Sequence, residues 1–248
     1  KHFDLHCLDL PGFGRTTPPV GMTRQDVEDL SATQIVEMYS EFIERYCLTS
    51  GITQPLVVAH SAGAYYTMMW ACTYRNASTL GGVFLVSLAG SLPTFNCWAA
   101  HIAVTFVLGV PQTYFRSLGR LGAFIFQPLI YGSSIRRYWM LVQASPHLMS
   151  VASKFTRTTL FSAIWLYPGL LHLLRACTTH SKIALIIGEH DVLASSLEAQ
   201  LLSDLAATLK LSLPCFSVPG GGHAIFHHDQ GRSIVSAITS AHAAVQDA

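Results

Sequence analysis

Charge is what this sequence has least of. Asp, Glu, Lys and Arg make up 12% of 248 residues, about half the share of an average soluble domain. Half of the chain is hydrophobic and mean hydropathy is +0.38, which excludes intrinsic disorder and charged coiled coils. A formal net charge of +1 and a pI near 7.8 provide no field for nucleic acid, so no nucleic-acid partner is expected. The six cysteines contain no C-x-x-C pair and lie far apart. In a chain too large to need disulfide staples, they read as buried thiols of a reducing, cytoplasmic compartment. No basic region followed by a signal-type apolar stretch precedes FDLHCLDL, so the start reads as the interior of a fold and the sequence as a piece of a longer chain. Length favours one large domain or a core with an inserted subdomain.

The scarce charges are also unevenly placed. No Asp or Glu occurs between Glu44 and Glu189. Residues 92–180 hold seven basic residues (Arg116, Arg120, Arg136, Arg137, Lys154, Arg157 and Arg175), leaving all fourteen acids to the flanking segments. This reads as an acidic core beneath a basic, aromatic lid, with an anionic ligand or surface near the lid. The longest apolar window there, Cys97–Val110, runs about fourteen residues before Pro111, short of the roughly twenty that span a bilayer. Trp98, Phe106, Trp139 and Trp165, interleaved with cations, instead suit peripheral membrane contact. Packing within the lid is the plainer reading for any one of them.

Outside that stretch, short apolar runs alternate with amphipathic ones, the pattern of a mostly parallel α/β sheet. Strands are expected at Phe3–Leu10, Pro55–Ala59, Gly82–Leu88, Lys182–Gly188 and Leu211–Val218, and helices at Gln25–Cys47, after Ser61, at Ser195–Leu209 and from Asp229. The expected organisation is a core in two parts, residues 1–91 and 181–248, interrupted by a helical cap over 92–180.

The sharpest local feature is Val57-Val58-Ala59-His60-Ser61-Ala62-Gly63-Ala64. A buried strand runs through small-x-Ser-x-small into an apolar helix, the setting in which a strained turn presents a serine nucleophile. Small residues there avoid clashes, so bulk at Ala59 or Gly63 is expected to be excluded. Ser61 would stand at the sheet's C-terminal edge, with the Ala62 N–H facing an oxyanion. The plain alternative is a serine that caps the helix. Downstream, Gly188-Glu189-His190-Asp191 sets an acid beyond a strand's end, and Pro219-Gly220-Gly221-Gly222-His223 carries an imidazole on a flexible loop. Ser61, Asp191 and His223 follow the order Ser, acid, His of one class of hydrolytic triad. His60 reads as a pocket-shaping residue, His227 and His228 as helix or core residues, and Glu189 as the weaker acid.

These residues resemble the α/β-hydrolase superfamily. Asp9-Leu10-Pro11-Gly12-Phe13-Gly14-Arg15-Thr16 is similar to its D-x-P-G-x-G-x-S loop, Ala59–Gly63 to its nucleophile elbow with alanine for the first glycine, Gly188–Asp191 to its acid loop, and Gly222-His223 to its histidine loop. The resemblance implies an α/β-hydrolase fold with an inserted helical cap, Ser61 as nucleophile, His223 as general base and acid, and Asp191 fixing the imidazole tautomer. It implies no cofactor. The family's opening strands and the loop that supplies its second oxyanion donor have no counterpart before Lys1, which predicts an exposed edge at Phe3–Leu10 and weak turnover by this stretch alone.

The expected substrate is an ester or amide of a lipid-like acyl group. Arg116, Arg120, Arg136 and Arg137 fit a phosphate by the fork geometry of guanidinium, and Arg116-Ser117-Leu118-Gly119-Arg120 bears a faint likeness to the phospholipid lipase and lysophosphatidate acyltransferase branch. That branch often has H-x-x-x-x-D. Here His228 stands five positions after His223, with Asp229 one further on. A lipid acyltransferase and a catalytically impaired lipid- or protein-binding member remain the alternatives. A zinc site from His223, His227 and His228 lacks a cysteine or acid at matching spacing, so no metal is expected. Gly12-Phe13-Gly14 lacks the third glycine of a dinucleotide loop, and no P-loop pattern occurs.

Overall fold

The computed structural model describes residues 4–11, 16, 19–22, 26, 30, 32–76, 78–88, 182–191, 196–222, 225–226 and 231–246. Within them lie strands β1 (Leu56–His60), β2 (Gly82–Val86), β3 (Ile183–Gly188) and β4 (Cys215–Val218). Four helices accompany them: α1 (Ala32–Thr49), α2 (Ala62–Tyr74), α3 (Ser196–Thr208) and α4 (Gly231–Gln246). The strands form a four-stranded sheet in the order β1-β2-β3-β4. Every neighbouring pair is parallel. The two parts of the expected core therefore build one sheet, joined where Val83 pairs with Ile183. The expected cap, 92–180, lies outside the described residues.

The central strands are apolar along their whole length because both faces are covered. Val83, Leu85, Ile183, Leu185 and Ile187 face one cluster with α2 and α3, whereas Phe84, Val86, Ala184 and Ile186 face α4. On α4 the buried residues are Ile234, Ala237, Ala241 and Val245, a stripe at helical spacing. The helix α2 is apolar on all sides since it lies between the sheet and α1, whose Ile35, Tyr39, Ile43 and Cys47 recur once per turn. Trp70 Nε1 donates to Glu44 Oε2 at 2.8 Å, and the Arg75 guanidinium approaches that carboxylate to 2.9 Å, tying α2 to α1. Pairing and hydrogen bonding are what permit this carboxylate to be partly buried. Past Thr49, Gly51 (φ 67) sends its N–H to Leu48 O while Ile52 N–H reaches Cys47 O, a Schellman stop.

Three expectations change. Residues 4–10 form no strand: Leu5 is 88% exposed, and the segment is tied by His6 Nδ1 to Tyr46 Oη at 2.8 Å and by Tyr39 Oη to Pro11 O at 3.2 Å. Apolar residues alone do not make a strand without a neighbour to satisfy its backbone. Among the described residues the sheet ends at β1, where Val58 is 39% exposed. The last strand starts at Cys215 rather than Leu211, because Pro214 brings no N–H to a ladder, although its carbonyl accepts Leu185 N–H at 2.8 Å. Of the cysteines expected to be buried, Cys47 is, Cys72 and Cys215 are partly so, and Cys7 is exposed. Cys97 and Cys177 lie outside the described residues. No helix among the described residues is long and apolar enough to cross a membrane.

Candidate active site

At the C-terminal end of β1 the chain turns at a single residue, Ser61, into α2. Ser61 N–H completes the ladder by donating to Val86 O at 2.9 Å. Its backbone then adopts φ 53, ψ −123 before Ala62 opens α2. A non-glycine residue there costs on the order of 1–3 kcal/mol and persists only where the surroundings impose it. Ser61 occupies the N-cap position, yet its side chain makes no capping hydrogen bond; what the helix takes from it is the carbonyl, which accepts Ala64 N–H at 3.1 Å. The helix-capping reading therefore does not account for this serine. The Ala62 N–H stands at the first position of α2, where the helix supplies no carbonyl of its own for it and the positive end of the helix dipole lies. The expected clash at Gly63 is not found: a Cβ built there meets nothing within 4 Å among the described residues. Ala59, in contrast, is buried.

The neighbouring strand ends in the same way. Ser87, one residue beyond β2 and adjacent to Ser61 across the ladder, has φ 51 and donates its N–H to Ile186 O at 2.8 Å. It is fully buried, and its Oγ has no hydrogen-bond partner among the described residues. Sequence reasoning missed it, because serine carries no preference for positive φ that would have flagged it.

The acid loop and the glycine loop are laced together. Glu189 N–H donates to Val218 O at 3.1 Å, His190 N–H to Gly221 O at 2.7 Å, and Asp191 N–H back to Gly188 O at 3.1 Å. A Cβ at Gly188 would stand 2.5 Å from Gly221 O and 2.7 Å from Gly222 O, so this approach requires glycine at 188. Of the two acids, Asp191 is 5% exposed, whereas Glu189 is exposed and its Oε2 accepts Gly220 N–H at 2.8 Å. Beyond this loop, Ile225 is buried and Phe226 packs edge-on to His60 with ring centroids 5.5 Å apart. The elbow, the acid loop and the segment following β4 thus meet at one edge of the sheet. His223, His227 and His228 lie outside the described residues, as do Arg116, Arg120, Arg136 and Arg137.

Burial pushes the Cys215 thiol up to about 11 and raises that of Cys47, which leaves neither a ready nucleophile near neutral pH. Among the described residues no group of three or more His, Cys, Asp or Glu is placed to hold a metal.

The sequence pattern of the alpha/beta hydrolase family matches residues 1–237. The chain belongs to that family. Solved structures of the same fold include a hydrolase from Oleispira antarctica, 14% identical with a TM-score of 0.62 over 93% of this chain and 79% of that one. A thermophilic esterase from Thermogutta terrifontis is 16% identical with a TM-score of 0.58 over 94% and 79%. E-2-(acetamidomethylene)succinate hydrolase is 20% identical with a TM-score of 0.55 over 83% and 72%. At such identities the likeness establishes the fold alone. No curated relative matches the sequence.

Proposed function

We propose that this alpha/beta hydrolase cleaves carboxylic esters of lipid-like acyl groups through an acyl-enzyme on Ser61. The observation that carries the reading is the strained Ser61 backbone at the β1–α2 junction, beside a sheet edge that also bears the buried Asp191. In this reading His223 takes the Ser61 Oγ proton as the oxygen attacks the ester carbonyl carbon. The resulting oxyanion is received by the Ala62 N–H at the positive end of α2. Collapse breaks the bond to the alcohol, which leaves with the proton from His223. Water, deprotonated by the same imidazole, then attacks the acyl carbon and returns Ser61 to its free form. Asp191 holds the imidazole in the tautomer that faces the serine.

The apolar, arginine-bearing stretch 92–180 supports a lipid-like acyl chain and an anionic group held by Arg116, Arg120, Arg136 or Arg137. It also supports contact with a membrane surface through the interleaved aromatics. Water is taken as the acceptor because the residue five positions after His223 is His228 rather than an acid.

The test is labelling by a fluorophosphonate probe, with Ser61→Ala as control, followed by turnover of short- and long-chain p-nitrophenyl esters. Labelling confined to the parent protein is expected, with turnover lost by at least about a thousandfold in Ser61→Ala. A folded parent protein that neither labels nor turns over would refute the reading.

A further inference from the structure

The acid loop carries two carboxylates, and the reading above uses only Asp191. The other, Glu189, reaches across to the turn that follows β4. That turn closes with Gly221 N–H donating to Val218 O at 3.0 Å and has Gly220 at φ 66 behind Pro219, the arrangement of a type II turn. In such a turn the central peptide is flipped, so the N–H of its third residue faces outward, away from the turn's own hydrogen bond. Glu189 Oε2 accepts that N–H at 2.8 Å. Three consecutive glycines, Gly220, Gly221 and Gly222, precede position 223, and glycine loses more freedom on ordering than any other residue. The ties from Glu189 N–H to Val218 O and from His190 N–H to Gly221 O are backbone to backbone and do not depend on the side chain at 189.

We propose that Glu189 is a positioning residue: by holding the outward Gly220 N–H, its carboxylate fixes the glycine turn from which the chain enters position 223. The inference rests on the acyl-enzyme reading, in which His223 must meet both Ser61 and Asp191. Hydrogen bonds to an ionised acceptor are about twice as strong as neutral ones, and misplacing a catalytic group by about 1 Å can cost on the order of a hundredfold in rate. Exposure of the carboxylate favours a role in geometry over one in global stability.

The experiment compares Glu189→Ala and Glu189→Gln with the parent protein on a short-chain p-nitrophenyl ester. Turnover is expressed per active site titrated with the fluorophosphonate, and thermal unfolding is followed in parallel. Glu189→Ala should lower kcat by roughly tenfold or more, leave KM within about twofold and shift Tm by no more than about 2 °C. Glu189→Gln keeps an acceptor oxygen and should recover most of kcat. A kcat for Glu189→Ala equal to that of the parent overturns the inference. So does a Gln variant no better than Ala, or a loss confined to KM or to Tm. Any of these, with an active parent, leaves the hydrolase reading standing, whereas an inactive parent with no labelling removes both.

Discussion

The two ends of the site are held by opposite devices. At the elbow, a residue with a side chain is forced into backbone space that glycine prefers: Ser61 at φ 53, with Ser87 at φ 51 beside it. At the paired loops, side chains are missing so that backbones can touch: Gly188 lies against Gly221 and Gly222 with no room for a methyl group. The first device stores strain, and the second stores none but tolerates no bulk. An apolar sheet whose two central strands are buried along their whole length explains how both coexist. The ladders beneath the elbow, Ser61 N–H to Val86 O and Ser87 N–H to Ile186 O, are deep enough to hold the strain, and the same rigidity leaves Gly188 nowhere to move.

Substitutions at three positions sharpen the contrast. Gly188→Ala should have the largest effect, since the new methyl group meets backbone atoms rather than a side chain that can swing away. Overpacking of this kind costs about 1–3 kcal/mol, and parting the loops should lower turnover by around a hundredfold, read by denaturant unfolding and ester kinetics on the same preparation. A middle effect is expected at the elbow. Ser61→Gly and Ser61→Ala both abolish labelling, but only glycine relieves the strain, so Ser61→Gly should melt about 2–4 °C above Ser61→Ala. Equal melting temperatures would mean that the elbow is not strained. The smallest change belongs to Gly63→Ala. With φ outside the positive region and nothing among the described residues within 4 Å of the added carbon, helix propensity alone should stabilise the protein by about 0.5–1 kcal/mol, measurable by chemical denaturation. A marked loss of stability there would restore the steric argument that the structure removes.

The sequence made much of this fold readable, because β2 and β3 are apolar runs of strand length bounded by glycine or polar residues, and α1 and α4 carry one-sided stripes. Residues 4–10 misled because a strand is defined by its neighbour, which lies outside its own pattern. The order and strand context of Ser61 and Asp191 were legible in the same way, since small residues and glycines mark the ends of buried strands. What stayed hidden is long-range. Nothing local in Glu189 announces Gly220, nothing in Glu44 announces Trp70 and Arg75, and the positive φ of Ser87 follows from where β2 leaves the sheet rather than from serine itself.

The pairing of Val83 with Ile183 joins residues a hundred positions apart, and it bears on how the site comes into being. Closing a long loop costs only about 0.6 kcal/mol more for each doubling of its length, so the finished sheet is little penalised by what intervenes. The route to it is slowed, because non-local contacts are rewarded only after that closure. Ser61 belongs to the segment before this seam, whereas Asp191 and the Pro219–Gly222 turn belong to the segment after it. A nascent or refolding chain that has built β1, α2 and β2 holds Ser61 without Asp191, the acid of the proposed triad. Reactivity at Ser61 would then emerge late, as a reporter of the longest-range contact in the sheet rather than of helix formation.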